Sequence, residues 1–183
     1  MKIFFDTEFT GLHKNTTLIS IGLVSEDNKK FYAEFTDYDK SQVDDWIDKN
    51  VIQNLWLNKI IEYGNLQYKN DLYIARGDKK LIRLALNAWV KQFDEIELYS
   101  DCSHYDMVLF VDIFGSAFNL PKNISPVCHD INQDIAKVLD ISGNEAFNIS
   151  REEFSGINGD KHNSLYDAEV IKACYEKIKK KGL

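Results

Sequence analysis

Asp6 and Glu8 stand two residues apart at the end of a short apolar run, KIFFD, from Lys2 to Asp6. In an extended strand, residues i and i+2 point to the same face, so the two carboxylates would be held side by side. Such neighbours repel, and away from water one of them takes up a proton unless a cation is present. Paired hard oxygens suit Mg²⁺ or Mn²⁺. The plain alternative is a strand end that reaches water with two solvated acids.

Further candidates lie far along the chain. Asp167, Ile171, Cys174 and Ile178 are spaced 4, 3 and 4, which sets Asp167 in register with an apolar helical stripe. A carboxylate on the core side of a helix needs a partner or a metal. His162 comes five residues earlier, where its ring could lean over the same site. An imidazole beside metal-bound water suits general-base work, because its pKa lies near neutrality. Ser164-Leu-Tyr-Asp167 also fits a capping box, which would make Asp167 a helix-start device instead. Asp106, Phe110, Ile113 and Ala117 repeat the 4, 3, 4 spacing, and Ser103-His-Tyr-Asp106 is likewise a possible capping box. Asp101 and Asp112 are competing acids nearby, with Asp112 reading as a helix-surface residue.

The elements that must position these groups follow from periodicity. Lys2 to Asp6 reads as a central strand, Thr17 to Ser25 as a second, and Lys30 to Phe35 as a third, in a hairpin with the second. From Ser41 to about Gln67 the pattern turns helical, opened by Ser41-Gln-Val-Asp44 in capping-box form. A helix over Gly77 to Phe93, a fourth strand over Ile96 to Ser100 and an apolar helix over His104 to Phe118 come next. A short strand near Val127 and Cys128, a helix from Asp130 to Leu139, a loop-rich stretch from Gly143 to Lys161 and a last helix from Ser164 to Lys180 complete the chain. An antiparallel three-strand meander followed by β-α units implies an α/β domain, one mixed sheet flanked by helices. Residues 1–183 read as one domain with a helical insert around 40–76.

Composition narrows the function class. The 183 residues are 44% apolar and 28% charged, which fits a globular domain rather than a disordered or fibrous chain. Apolar runs are too short for a membrane span, and Asp6 and Glu8 interrupt the place where a signal peptide would need its apolar stretch, so a cytoplasmic protein is expected. Three cysteines without CxxC spacing argue against a disulfide framework, and Cys102/His104 and Cys128/His129 lack ordinary zinc spacing. Net charge is −7, unsuited to passive wrapping of a duplex. Cations held by clustered carboxylates would reverse the local sign where a phosphate must sit. His13 reads as a solvated turn residue, and Arg76, Lys79, Lys80 and Arg83 as a solvated helix face that could touch phosphates.

Three segments together resemble a family. FFDTEFTGL (Phe4 to Leu12) looks like the first motif of the DEDDh branch of the DnaQ-like, ribonuclease H-fold 3′–5′ exonucleases. SDCSHYDMVLF (Ser100 to Phe110) is similar to the second, with Asp106 in the acidic position. HNSLYDAEV (His162 to Val170) is similar to the third, H-x-A-x-x-D-A, with Ser164 in place of the usual Ala. Within the family the chain most resembles the small stand-alone RNase AS-like exoribonucleases. The resemblance implies a ribonuclease H-like sheet and two Mg²⁺ or Mn²⁺ ions held by Asp6, Glu8, Asp106 and Asp167, with Asp6 bridging. It implies His162 as the base that takes the proton of the attacking water, and release of the 3′-terminal nucleotide of single-stranded nucleic acid as a 5′-monophosphate. Thr7, Phe9, Thr10, Gly11 and Leu12 would lie along that nucleotide, with Tyr105 as a further stacking candidate. RNA is implied as the substrate by the resemblance alone, with an exodeoxyribonuclease or a catalytically silent nucleic-acid-binding module as alternatives, and a homodimer is expected.

Overall fold

The computed structural model describes residues 1–69, 71–159 and 161–182. Its elements, in chain order, begin with β1 (Lys2–Phe9), β2 (Leu18–Ser25) and β3 (Lys30–Phe35). Next come α1 (Asp45–Asn50), β4 (Gly64–Tyr68), β5 (Leu72–Gly77), α2 (Lys79–Val90), β6 (Ile96–Ser100) and α3 (Ser103–Phe114). The chain then forms β7 (Ile124–Asp130), α4 (Ile131–Leu139), α5 (Gly143–Asn148), α6 (Arg151–Ser155) and α7 (Ser164–Lys180). Among the described residues the strands form one seven-stranded sheet, in the order β4-β5-β3-β2-β1-β6-β7. The β1-β2-β3 meander is antiparallel, while β6 joins β1, and β7 joins β6, in parallel.

Alternation along β1 decides what each face carries. Ile3 and Phe5 enter the larger core with α2 (Ile82, Leu86, Trp89) and α3 (Phe110, Ile113). Phe4 enters a second core on the other face, with Ile131 and Ile135 of α4 and Val170, Ile171 and Cys174 of α7. The same alternation sends Asp6 and Glu8 to the α7 face and Thr7 to the α3 face. Helices therefore cover both faces, and the parallel strands β1 and β6 end together under the starts of α3 and α7. Open α/β sheets place their sites beyond such strand ends.

Two expectations are corrected. The insert around 40–76 is only partly helical: it holds α1 and three 3₁₀ turns (Lys40–Gln42, Ile52–Asn54, Leu57–Lys59), but then β4 and β5. β5 lies parallel to β3 from Lys30↔Leu72 to Phe35↔Gly77, so this part of the insert extends the sheet. Its residues alternate between half-buried and exposed in β4, which a strand satisfies and a helix does not. The loop expected over 143–161 contains α5 and α6, each opened by a serine whose side chain accepts an amide hydrogen from three residues on; at α5 the Ser142 amide donates in return to the Glu145 carboxylate, completing a capping box. No helix among the described residues is long and apolar enough to cross a membrane.

Candidate active site

The parallel register of β1 with β6 runs Lys2↔Glu97, Ile3↔Leu98 and Phe4↔Tyr99. Continued by two residues on each strand it brings Asp6 alongside Asp101. Asp106 enters from the first turn of α3, and Asp167 from the first turn of α7. Asp6, Asp101 and Asp106 each offer an oxygen within 4.8 Å of the others, and so do Asp6, Glu8 and Asp167. Asp6 is common to both groups.

Both capping-box alternatives fail on geometry. Cys102 occupies the N-cap of α3 without a side-chain bond. Asp106, 1% exposed, instead accepts hydrogen bonds from the Thr7 amide at 3.1 Å and the Thr7 hydroxyl at 2.5 Å on Oδ1, and from the Ser100 hydroxyl on Oδ2. At α7 the N-cap is Asn163, whose side chain accepts from the Tyr166 amide at 3.2 Å. Asp167 is thus released from capping duty. Ser164, where the family motif has Ala, is fully buried, and its hydroxyl pairs with that of Ser20 at 3.0 Å. The extra polar atom is therefore satisfied, which is what makes Ser tolerable in a closed site.

Burial and like charge act together on these acids. Burial first, then Asp106, Asp167 and Glu8, push the Asp6 carboxyl well above its usual value. Glu8 is driven the same way by burial, Asp167 and Asp106. Asp167 is raised to about 7, by burial and then by Asp101. Asp106 is also raised by burial to about 7, against the pull of the Ser100 and Thr7 hydrogen bonds. A set of buried hard oxygens that must otherwise hold protons is chemically fitted to divalent cations.

His162 stands at the rim with Nδ1 3.9 Å from Glu8 Oε1. Burial, followed by the Lys161 cation, lowers its pKa from the ordinary 6.5, so the ring is neutral and able to accept a proton near neutrality. The carboxylates and His162 line a cavity of about 620 Å³ whose wall also includes Phe9, Gly11, Leu12, Trp46, Arg151 and Lys161.

Among the other candidates, Phe9 is half-buried and stacks on Tyr105, with ring centroids 5.3 Å apart and planes 15° apart. Leu12 is 75% exposed. Thr7 is buried, and its hydroxyl is engaged by Asp106. Thr10 is buried too and donates to Gln42 Oε1 at 2.5 Å, away from the cavity lining. His13 is exposed. Lys79 pairs with Asp112 on the surface, and Arg76 lies 3.6 Å from the buried Glu34. Cys174 is buried and free. Asp101, Arg151, Lys161 and Trp46 are cavity residues that motif spacing did not single out. Asp101 stands out in the sequence only as an acid competing with Asp106, its approach to Asp6 being set by the β1–β6 register, and the others come from elements whose place in space no local pattern announces.

A family model described as the 3′-5′ exoribonuclease Rv2179c-like domain matches residues 1–179. The 3′-5′ exoribonuclease Rv2179c of Mycobacterium tuberculosis (strain ATCC 25618 / H37Rv) is 28% identical over 135 residues, 73% of this chain and 73% of its own. The 3′-5′ exoribonuclease MT2234.1 of strain CDC 1551 / Oshkosh matches to the same extent. In shape the chain resembles the nuclease domain of 3′hExo, a DEDDh family member bound to rAMP, with a TM-score of 0.69 and 13% identity over 99% of this chain and 92% of that one. It also resembles the 3′-exonuclease described in 3′-end specific recognition of a histone mRNA stem-loop, with a TM-score of 0.65, 13% identity and coverage of 99% and 64%. At that identity the likeness shows the fold, the helix-flanked mixed sheet of DEDDh nucleases.

Proposed function

The chain belongs to the Rv2179c-like 3′-5′ exoribonuclease family, and on that premise we propose that it hydrolyses single-stranded RNA from the 3′ end to 5′-monophosphates, with His162 as general base and Asp6, Glu8, Asp106 and Asp167 as ligands of two Mg²⁺ or Mn²⁺ ions. The observation that carries this reading is that Asp6 belongs to two groups of three carboxylates, with a neutral imidazole on their rim. When bound, a pair of such ions stabilises the attacking and leaving oxygens of an in-line displacement and offsets the carboxylate charge.

The chain's own residues supply the rest. His162, poised beside Glu8, takes up the proton of the attacking water. Ser100 and Thr7 fix both oxygens of Asp106, so that this ligand is oriented before substrate arrives. Phe9, braced by the stacked Tyr105, offers an apolar face to the terminal nucleotide, and exposed Leu12 offers a second. Such surfaces accept any base and favour single strands.

The reading is tested by a time course on 3′- and 5′-labelled single-stranded RNA, with matched DNA, in Mg²⁺, Mn²⁺ or EDTA. Stepwise loss of 3′ label as mononucleotide, stopped by EDTA, is expected. Faster degradation of DNA would make it an exodeoxyribonuclease, and binding without turnover a silent module. A homodimer is part of the same proposal and is read by sedimentation.

A further inference from the structure

We propose that the insert is a clamp that positions His162, with Trp46 and Asn54 as the residues that grip the turn carrying it; the inference rests on His162 as general base. Trp46 is 54% exposed at the cavity mouth, and its indole meets the His162 ring edge-on, with centroids 4.9 Å apart at 76°. Asn54 Nδ2 donates to the backbone carbonyl of Lys161 at 3.3 Å. His162 itself has φ +62°, a left-handed conformation that a non-glycine residue keeps only where its surroundings hold it.

The clamp is in turn fixed to the strands that carry the metal ligands. Ile47 and Val51 pack on Ile19 of β2. Glu34 of β3, 2% exposed, accepts the Trp56 amide at 2.7 Å and the Leu57 amide at 2.9 Å. The Trp56 ring stacks on Tyr32 at 5.2 Å. Thr10, just past β1, bonds to Gln42. A rigid path therefore runs from β1, β2 and β3 through the insert to the imidazole. Lys161 Nζ is also paired with Glu152 at 3.1 Å, so the turn is tied to α6 as well as to the insert. A base misplaced by an ångström loses rate rather than affinity.

The test uses Trp46→Ala, Trp46→Phe and Asn54→Ala in the full chain, each also combined with His162→Ala, on single-stranded RNA with Mg²⁺. Trp46→Ala should lower kcat about 10- to 100-fold with KM within about twofold, and Trp46→Phe should recover most of the loss. In the His162→Ala background neither Trp46→Ala nor Asn54→Ala should cost anything more. Independently of activity, the His162 ring resonances, shifted by the indole in the wild type, should move toward solvent-exposed values in Trp46→Ala. A raised KM with kcat preserved, additive with His162→Ala, would make Trp46 a substrate surface and overturn the clamp. Should His162→Ala itself be fully active, the general-base reading fails, while the resonance shift still decides whether the clamp exists. If Trp46→Ala does not fold, Trp46→Phe and Asn54→Ala carry the same kcat-against-KM distinction.

Discussion

Gly22 lies so close beneath the start of α7 that a Cβ built on it would stand 2.3 Å from the Ser164 carbonyl oxygen and 2.4 Å from the Leu165 backbone. Gly22 is also the antiparallel partner of Asp6. One missing side chain thus lets the helix that carries Asp167 settle directly over the strand that carries Asp6 and Glu8. Gly22→Ala is expected to cost about 1–3 kcal/mol, because backbone, not a flexible side chain, must move. It should also weaken Mn²⁺ binding, since Asp167 moves with α7. Denaturant unfolding and calorimetric titration measure the two effects. Unchanged stability would mean that α7 does not press on Gly22.

Asp6→Asn and Asp167→Asn should each reduce hydrolysis by about a thousandfold or more while raising the melting temperature of the metal-free protein. Each removes one charge from a set of buried carboxylates that repel one another, the pattern expected where stability has been given up for function. Melting in EDTA and RNA hydrolysis in Mg²⁺ read the two halves. Full activity of either variant with added Mn²⁺ would count against the ligand assignment.

The strand-end pair Asp6 and Glu8, Asp167 on its helix and His162 ahead of it were legible because their spacing is local: two residues on a strand, one turn of a helix. Asp101 was legible only as an acid competing with Asp106, since its approach to Asp6 depends on the parallel register Phe4↔Tyr99, which no short pattern encodes. The β4–β5 hairpin was missed for a different reason. Leu66 and Tyr68 alternate with exposed Asn65 and Gln67, but this period-2 signal is brief and follows a run of helical turns, α1 and the 3₁₀ turns at Ile52–Asn54 and Leu57–Lys59. Ser142 and Glu145 have the capping spacing of α5, but Gly143, Gly156 and Gly159 give the stretch the composition of a loop.

Acidity should control the stability of the metal-free protein in a defined direction. Asp106 and Asp167 titrate near 7 in the folded chain, against an ordinary value of 3.8, so between these limits the folded state binds more protons than the unfolded one. Their contribution is fully present below about pH 4 and is lost as pH rises through about 7. Divalent cations bind the deprotonated form and should reverse the loss. The melting temperature in EDTA should therefore fall from pH 5.5 to pH 8, and the gap between Mg²⁺ and EDTA should widen over the same range, by at least about 5 °C. Calorimetric scans across the series provide the check, and a gap that is constant with pH would show that these carboxylates are not the cation site.

Asp101 and Asp106 flank the same oxygen of Asp6, yet their counter-ions differ. Asp101 Oδ2 is 3.6 Å from Arg151 Nε, and that guanidinium is itself fixed by donation to the Ile149 carbonyl at 2.7 Å and the Ala146 carbonyl at 3.1 Å. Burial raises the Asp101 carboxyl, but Arg151 pulls against it. Asp106 has only neutral donors, from Thr7 and Ser100. The need for an external cation therefore falls on Asp106. Asp101→Asn should keep turnover within about tenfold of wild type, while Asp106→Asn should lose about a thousandfold or more, as removal of a metal ligand does. Arg151→Gln should cost about 1–2 kcal/mol in stability, because it leaves the half-buried Asp101 carboxylate and the Ile149 and Ala146 carbonyls without their donor, and part of that cost should be recovered in the Asp101→Asn background. Mg²⁺ titrations of the two aspartate variants and a double-mutant unfolding cycle separate these roles; equal losses of Mg²⁺ affinity in both would make Asp101 a ligand in its own right, with Arg151 serving only to hold it in place.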